Sequence, residues 1–459
     1  MVKAGMNVAR LNFSHFSPAS YKDYERHVRT IRGIAKKTGE PIAILQDIQG
    51  PRIRIGKLPK EGLVLKRGQK VILSTDLMKP TPDRIPINYP NLHKDVKVGH
   101  PIFMDDGLIK FRVQRIQGRS IECRVTTGGV LISHRGANFP KTVLSLPSLT
   151  EKDKNDLKFG VRHNVDFVAL SFVNKAKDIL KLRALINRYE KKFKIKERAP
   201  IRIIAKIETF GGVRNFKDIL EVTDGVMVAR GDLGVEMPPQ DVPLIQKKII
   251  EDCLRVSKPV IVATQMLDSM VSKSRPTRAE VSDVANAVID HSDALMLSAE
   301  TALGKYPVKT VQTMSRIIRK TESSAYDDII ISKILEEIMP IDTAISSAAT
   351  ILAESVKAKA ILVASLSGYT GRIVSRFRPE LPILVATDNL RVLHQLNLSW
   401  GVVPFLLPPC KSVEELVEKS IRYLKKTKYV KKGDNIIIVA GQPVGKSGNV
   451  NFVKIHQLK

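Results

Sequence analysis

The feature that most restricts this chain is a series of short, nearly continuous apolar runs, each separated from the next by room for one helix. Between residues 165 and 300 they are VDFVALSF (165–172), IRIIAKIE (201–208), GVMVARGD (225–232), VIVATQM (260–266) and DALMLSAE (293–300). Strands buried on both faces read this way. A spacing of about 25 to 36 residues suits a crossover helix between parallel neighbours. Two similar runs come earlier, MNVARLN (6–12) and IAILQDI (42–48), with a helical segment (17–39) between them. Seven such units predict an α/β fold of the TIM (β/α)8 type with its first strand missing, because closure needs eight. An open seven-stranded version would leave two unpaired edges, so either the first strand–helix unit is absent from this chain or the fold is not a barrel.

The pattern changes between Ile55 and Pro140. GLVLKRGQKVILST, HPIFMDDGLIKFRVQRI and SIECRVTTGG alternate apolar with polar residues and carry glycine turns, which predicts a small all-β insertion. After LEEIMP (335–340) the apolar runs resume with AILVAS, LPILVAT, VVPFLL and GDNIIIVAG, as in a doubly wound α/β unit. The expected organisation is a barrel from 1–54 and 141–325, a β unit at 55–140, and a C-terminal α/β unit at 339–459.

Composition narrows the function. The chain has 75 Lys and Arg against 46 Asp and Glu, a net charge of +29. Such a surplus fits nucleic acid, an acidic membrane surface or anionic small molecules. Aromatic residues make up only 5% and are not interleaved with the basic ones, so base-stacking platforms are not expected. No apolar run approaches the ~20 residues that span a bilayer. The opening residues, Met1 to Asn7, lack a basic stretch followed by an apolar core, so no secretory leader is expected. Cys123, Cys253 and Cys410 stand singly, in neither zinc nor disulfide spacing, and a cytoplasmic location is expected.

Polar residues gather where these strands end, the rim at which parallel barrels do chemistry. They are Arg10, Asn12 and Ser14, then Asp47, Lys206 with Glu208, Arg230 with Asp232, and Thr264 with Gln265. Lys206 and Glu208 are two apart and share a face. Glu208 and Asp232 offer two hard carboxylates, the usual protein share of an Mg2+ site. A structural ion pair would explain Lys206 alone. Arg10 on the same rim instead points to an anion beside a metal, as phosphoryl transfer requires.

MNVARLNFSH, AKIE, VMVARGDLGVE, ATQMLDSM, RPTRAEVSDVANAV and LMLSAETALGKYP closely resemble the signature segments of the pyruvate kinase family. The resemblance runs the length of the chain. It implies a TIM-barrel domain, a β lid and a C-terminal regulatory domain. It also implies transfer of the phosphoryl group of phosphoenolpyruvate to ADP, giving pyruvate and ATP, by a cytoplasmic homotetramer.

On the matching positions, Arg10 looks like the arginine that grips the transferring group. Lys206 looks like the lysine that stabilises charge on that group and on the enolate. Glu208 and Asp232 match the ligands of Mg2+ (or Mn2+). The backbone of Gly231 and Asp232, with Thr264, matches the contacts to the pyruvate carboxylate, and Thr264 is implicated in enolate protonation. Asn12, Ser14 and Asp47 match monovalent-cation ligands. Asn12, His15, Arg54 and Arg135 match positions near the nucleotide, with Arg135 standing where the family usually has Lys.

Two departures from the family pattern stand out. The family begins with a strand and helix that this sequence lacks. In addition, DTKGPEIRT reads DIQGPRIRI here (47–55), so Arg52 replaces a Glu. A fixed cation there supplies the charge that K+ would bring and repels the ion, so K+-independent activity is expected. In ILVASLSGYTGRIVSRFRP (361–379), Ser365, Ser367, Gly368 and Thr370 form a loop that in the family belongs to the pocket for a sugar-phosphate or nucleotide effector; the plainer alternative is a turn with an N-cap. A catalytically silent relative is disfavoured because Arg10, Lys206, Glu208, Asp232 and Thr264 all match. A specific nucleic-acid or membrane partner is not expected.

Overall fold

The computed structural model describes residues 1–15, 20–75, 81, 83–140, 142, 144–327, 339–441, 448 and 450–459. Its largest sheet is parallel and has seven strands. They are β1 (Val8–Asn12), β2 (Ala43–Ile48), β3 (Phe167–Leu170), β4 (Arg202–Ile207), β5 (Gly225–Ala229), β6 (Val260–Ala263) and β7 (Ala294–Met296), side by side in chain order. Among the described residues β1 and β7 are its two open edges.

Helices link the strands, each placed by local signals. Glu151–Arg162 starts from a reciprocal cap between Thr150 and Asp153, and Arg278–Ile289 from the same device between Thr277 and Glu280. Tyr21–Thr38 stops at Gly39, whose positive φ of 75° suits a residue without Cβ.

Strand alternation sorts the side chains into two layers. Ile44 and Ile48, Val168 and Leu170, Ile203, Ala205 and Ile207 pack outward against helices. Ala43 and Leu45, Phe167 and Ala169, Ile204, Met227, and Ile261 and Ala263 form the inner layer. Leu398, from the C-terminal unit, is buried in that inner layer as well. The next inward position at each carboxyl end is Asp47, Ser171 or Lys206. The fold therefore carries an apolar interior up to a charged mouth.

The 55–140 region departs from this sheet as expected. Six strands run in the order Ala137–Asn138, Pro101–Met104, Ile109–Gln117, Ser120–Thr127, Lys70–Ser74 and Arg84–Pro86. Only the last pair is parallel. Leu63–Leu65 and Gly129–Leu131 form a separate ribbon, and the core of this unit is its own. The C-terminal unit holds β8 (Ala360–Ala364), β9 (Ile383–Thr387), β10 (Val402–Leu406), β11 (Asn435–Ala440) and β12 (Phe452–Gln457), in the order β10-β9-β8-β11-β12.

Two details differ from the sequence reading, and a third lies partly outside the described residues. The run GVMVARGD does not stay extended to Asp232. It ends at Ala229, and Arg230–Glu236 is helical. The reason is pairing: Ala229 lies opposite Ala263, beyond which the neighbouring strand turns away at Thr264. β12 was not foreseen. It pairs antiparallel at the edge with β11, and its exposed side chains leave it little apolar pattern. Of LEEIMP, residues 335–338 lie outside the described residues, and the helix that follows is Ile341–Ser355.

Candidate active site

The mouth centres on Asp47, a carboxylate with no exposure to solvent. Arg10 Nη2 lies 2.6 Å from one of its oxygens, and Lys206 Nζ 3.3 Å from the other. Burial pushes this carboxyl up, but Lys206 and then Arg10 outweigh it and hold Asp47 below the usual carboxylate range. Lys206 shows the mirror image. Burial alone would lower its pKa, but Asp47 and Glu208 raise it above the ordinary value. Lys206 therefore stays an ammonium in a dry pocket. Its Nζ also donates to Ser171 Oγ at 2.7 Å and lies 3.5 Å from Glu208 Oε2.

Glu208 follows β4 and is wholly buried. Phe172 N–H donates to its Oε1 at 2.7 Å, while Oε2 has no hydrogen-bond partner among the described residues. Burial first, and then Asp232, raise its pKa to about 7 against the pull of Lys206. An orphaned, buried carboxylate oxygen aimed into a charged mouth fits a hard divalent cation. Asp232, the second expected ligand, is part-exposed at the start of its helix. No cluster of three or more acidic, His or Cys side chains suited to a metal occurs among the described residues. The remaining coordination must then come from water and substrate oxygens, as is common for Mg2+.

On the far side, Thr264 adopts φ 74°, an unusual state for a β-branched residue and a common mark of a working site. Its Oγ1 accepts from Gly231 N–H at 2.8 Å and donates to Ala263 O at 2.5 Å. Gly231, Asp232 and Thr264 are thus brought together. Arg230 braces this group, donating to Thr264 O at 2.8 Å while Asp283 takes its guanidinium at 2.6 and 2.7 Å.

Arg52 spans the mouth and the β unit, 3.5 Å from Asp232 and 3.7 Å from Asp106. The turn that delivers it passes Gly50 at φ 66°, where a Cβ would meet Ser171 O at 2.8 Å. Arg54 donates to His134 O at 3.0 Å, and Arg135 pairs with Asp105 at 3.1 Å. Arg54 also bridges to Gly136, so the two arginines sit side by side where the β unit begins and ends. Asn12 lies opposite Asp47, and its Oδ1 accepts Ser14 N–H at 3.1 Å. The side chain of His15 lies outside the described residues.

The sequence reading missed Ser171, Phe172 and Asp106. Inward parity along VALSF would have found Ser171, but nothing in the sequence announces a backbone donor such as Phe172. The effector-loop residues lie far down the chain from this site. Ser365 and Thr370 are buried, and Gly368 takes φ 73° ahead of the helix Tyr369–Ser375.

A lysine, an arginine and two part-satisfied carboxylates at the carboxyl rim of a parallel α/β barrel sheet define a phosphoryl-transfer enzyme. Residues 1–311 match the pyruvate kinase barrel domain, and 343–456 match the pyruvate kinase alpha/beta domain. A pyruvate kinase from Geobacillus stearothermophilus is 43% identical over 459 residues, covering 99% of this chain and 76% of that protein. One from Sporosarcina psychrophila is 42% identical over 99% of this chain and 77% of its own length. The crystal structure of a pyruvate kinase from Cryptosporidium parvum superposes with a TM-score of 0.92 at 34% identity, covering all of this chain and 92% of that one.

The chain belongs to the pyruvate kinase family. It is a phosphotransferase that moves the phosphoryl group of phosphoenolpyruvate to ADP, giving pyruvate and ATP in the last step of glycolysis. The family generally works with a divalent metal ion, Mg2+, and usually with K+. No helix among the described residues is long and apolar enough to cross a membrane.

Proposed function

We propose that the residues meeting at the mouth divide the reaction as follows. Arg10 and Lys206 hold the migrating phosphoryl group. The bond from phosphorus to the enol oxygen breaks as one to the terminal phosphate oxygen of ADP forms. Lys206 then faces the enolate oxygen left behind, and its ammonium, desolvated and fixed by Asp47 and Ser171, needs no reorganisation to stabilise that charge. The enolate takes a proton at its methylene carbon, relayed through the Thr264 hydroxyl. Gly231 and Asp232 backbone with Thr264 hold the carboxylate. Arg54 and Arg135, with His15 and Asn12, meet the nucleotide. Glu208 and Asp232 would hold a divalent ion, which would supply charge neutralisation at the mouth.

The observation that carries this reading is the shared Asp47 anchor, which sets both cations at one small volume. The test is steady-state kinetics of Lys206→Met and Arg10→Gln. Wild-type kcat in both variants would refute it.

Asp47 is already neutralised by Arg10 and Lys206, and Arg52 adds a third cation at the rim. This supports turnover without K+, with Asn12, Ser14 and Asp47 serving no monovalent ion. Tetramethylammonium in place of K+ checks it, and loss of nearly all turnover would refute it. The domain limits (1–54 with 141–325, 55–140, 339–459), a cytoplasmic homotetramer and a phosphate-bearing effector at Ser365, Ser367, Gly368 and Thr370 complete the proposal. Light scattering tests the tetramer, and activation assays with sugar phosphates and nucleotides test the effector.

A further inference from the structure

The segment that leaves β3 reaches both Lys206 and Glu208. β3 ends at Leu170, and the chain turns away at Ser171 and Phe172. Phe172 takes φ 57°, a left-handed backbone that a residue with a Cβ adopts at a cost. Turns that need this shape normally place Gly or Asn there. The ring does not account for the exception, because it is only half-buried and takes no part in the barrel's packed core.

The surroundings hold the turn in this shape. A Cβ on Gly50 would meet Ser171 O at 2.8 Å and the Phe172 ring at 3.3 Å, so backbone packs directly on backbone. One residue on, a Cβ on Gly212 would meet Val173 O at 2.6 Å. Asn174 Nδ2 donates back to Phe172 O at 3.0 Å. Strain that neighbours over-determine in this way points to a task. Two hydrogen bonds show what it delivers. Phe172 N–H donates to Glu208 Oε1 at 2.7 Å, and Ser171 Oγ accepts from Lys206 Nζ at 2.7 Å.

Each bond sorts the group it touches. The turn ties one oxygen of Glu208, while Oε2 keeps no hydrogen-bond partner among the described residues. The carboxylate thus has one anchored and one free oxygen. Ser171 is 3% exposed, and its hydroxyl finds a nearer acceptor in Ile48 O at 2.8 Å than in Asp47 Oδ1 at 3.4 Å. Its proton is committed there, which leaves a lone pair for the ammonium. Ser171 and Asp47 take two of the three N–H bonds of Lys206, and the third has no hydrogen-bond acceptor among the described residues. We propose that the Ser171–Phe172 turn is the positioning element of the mouth. Ser171 acts through Lys206, keeping one N–H for the migrating phosphoryl group and the enolate oxygen. The Phe172 amide acts through Glu208, keeping Oε2 for a divalent ion. This rests on the roles given above to Lys206 and Glu208. A group that orients a metal ligand from behind is worth about 10–100-fold in affinity or activity.

Two replacements in the full chain test it, one for each contact. Phenyllactate in place of Phe172 puts an ester where the amide stood and removes the N–H with the shape kept. Mn2+ binding without substrates, read by electron paramagnetic resonance, should then weaken about tenfold or more, and Ser171→Ala should leave it within twofold. Ser171→Ala should instead lower kcat about tenfold or more, with the KM for ADP within twofold. Ser171→Thr, which keeps the hydroxyl, should recover most of that loss. Should Ser171→Thr not fold, Ser171→Cys, a weaker acceptor, should fall between Ser171→Ala and the parent. Parental Mn2+ affinity in the ester, or parental kcat in Ser171→Ala, would overturn the proposal. A lower Tm without those two losses would mark a merely structural turn, with the same consequence. Glu208→Gln and Lys206→Met serve as references. If Glu208→Gln binds Mn2+ as the parent does, or Lys206→Met turns over as the parent does, the reading of the mouth fails and takes the proposal with it. If both references lose function while the ester and Ser171→Ala do not, the turn alone is refuted.

Discussion

The mouth of the barrel and the seam beneath it, where it meets the C-terminal unit, both bury cations, but they treat them in opposite ways. At the mouth, Arg10 and Lys206 meet Asp47 and Glu208, with Asp232 and Arg52 at the rim. At the seam, Arg183, Arg202, Lys258 and Arg372 face Asp224. The first arrangement fixes its charges in place before substrate arrives, which is what preorganised catalysis needs. The second sets four cations around one acid, with Arg183 alone at ion-pair distance from it among the described residues.

The sharpest way to break the comparison is at Lys206. Replacing it by Met removes the one cation that touches both acids, and kcat should fall ~10³-fold, by analogy with a lost oxyanion donor. Rapid-quench measurement of the transfer step checks this, and a change confined to the KM for ADP would contradict it. Next comes Asp47→Asn. It strands Arg10 and Lys206 without their shared buried counter-charge, so stability should drop by about 3–5 kcal/mol, read from urea unfolding. An equal loss from a substitution at exposed Asp106 would erase the contrast.

Arg52→Glu tests the rim. It places two acids, residue 52 and Asp232, where a cation and an acid now stand. Turnover in tetramethylammonium should fall about tenfold, equivalent to ~1.4 kcal/mol, and K+ should restore it. Indifference to K+ in that variant would detach Arg52 from the cation question.

The smallest effect concerns Glu236, a half-buried acid at the junction of barrel and β unit with no ion pair among the described residues. It accepts from Asn138 Nδ2 at 3.1 Å. Burial above all raises its pKa from 4.5 to about 7. A raised carboxyl favours folding in its protonated form. Its contribution is complete below pH 4.5 and is lost as pH rises through about 7. Glu236→Gln should therefore flatten the decline of Tm between pH 4.5 and 7.5, and an unchanged slope would show that the group is already ionised.

Much of this was legible in advance, for identifiable reasons. The seven parallel strands announce themselves because strands buried on both faces cannot hide their apolar runs. Arg10, Asp47, Lys206, Glu208, Asp232 and Thr264 announce themselves because charge or hydroxyl at the end of such a run has few structural excuses. Asp232 was placed on a strand and lies on a helix, because only the partner strand's turn at Thr264 decides where pairing stops. Ser171 and the Phe172 amide escaped notice because their role rests on neighbours about 36 residues away.

The order of strands, the separate β unit and the residue types at the rim are properties of the chain's own pattern, since alternation and run length depend only on neighbours along it. Which of those residues share a partner is different. That Arg10 and Lys206 converge on Asp47, that Leu398 enters the barrel's inner layer, and that Arg202 and Arg372 meet over one carbonyl depend on contacts between distant segments. Charges interact through space and screening rather than along the backbone, so only the tertiary structure could decide which sites are balanced.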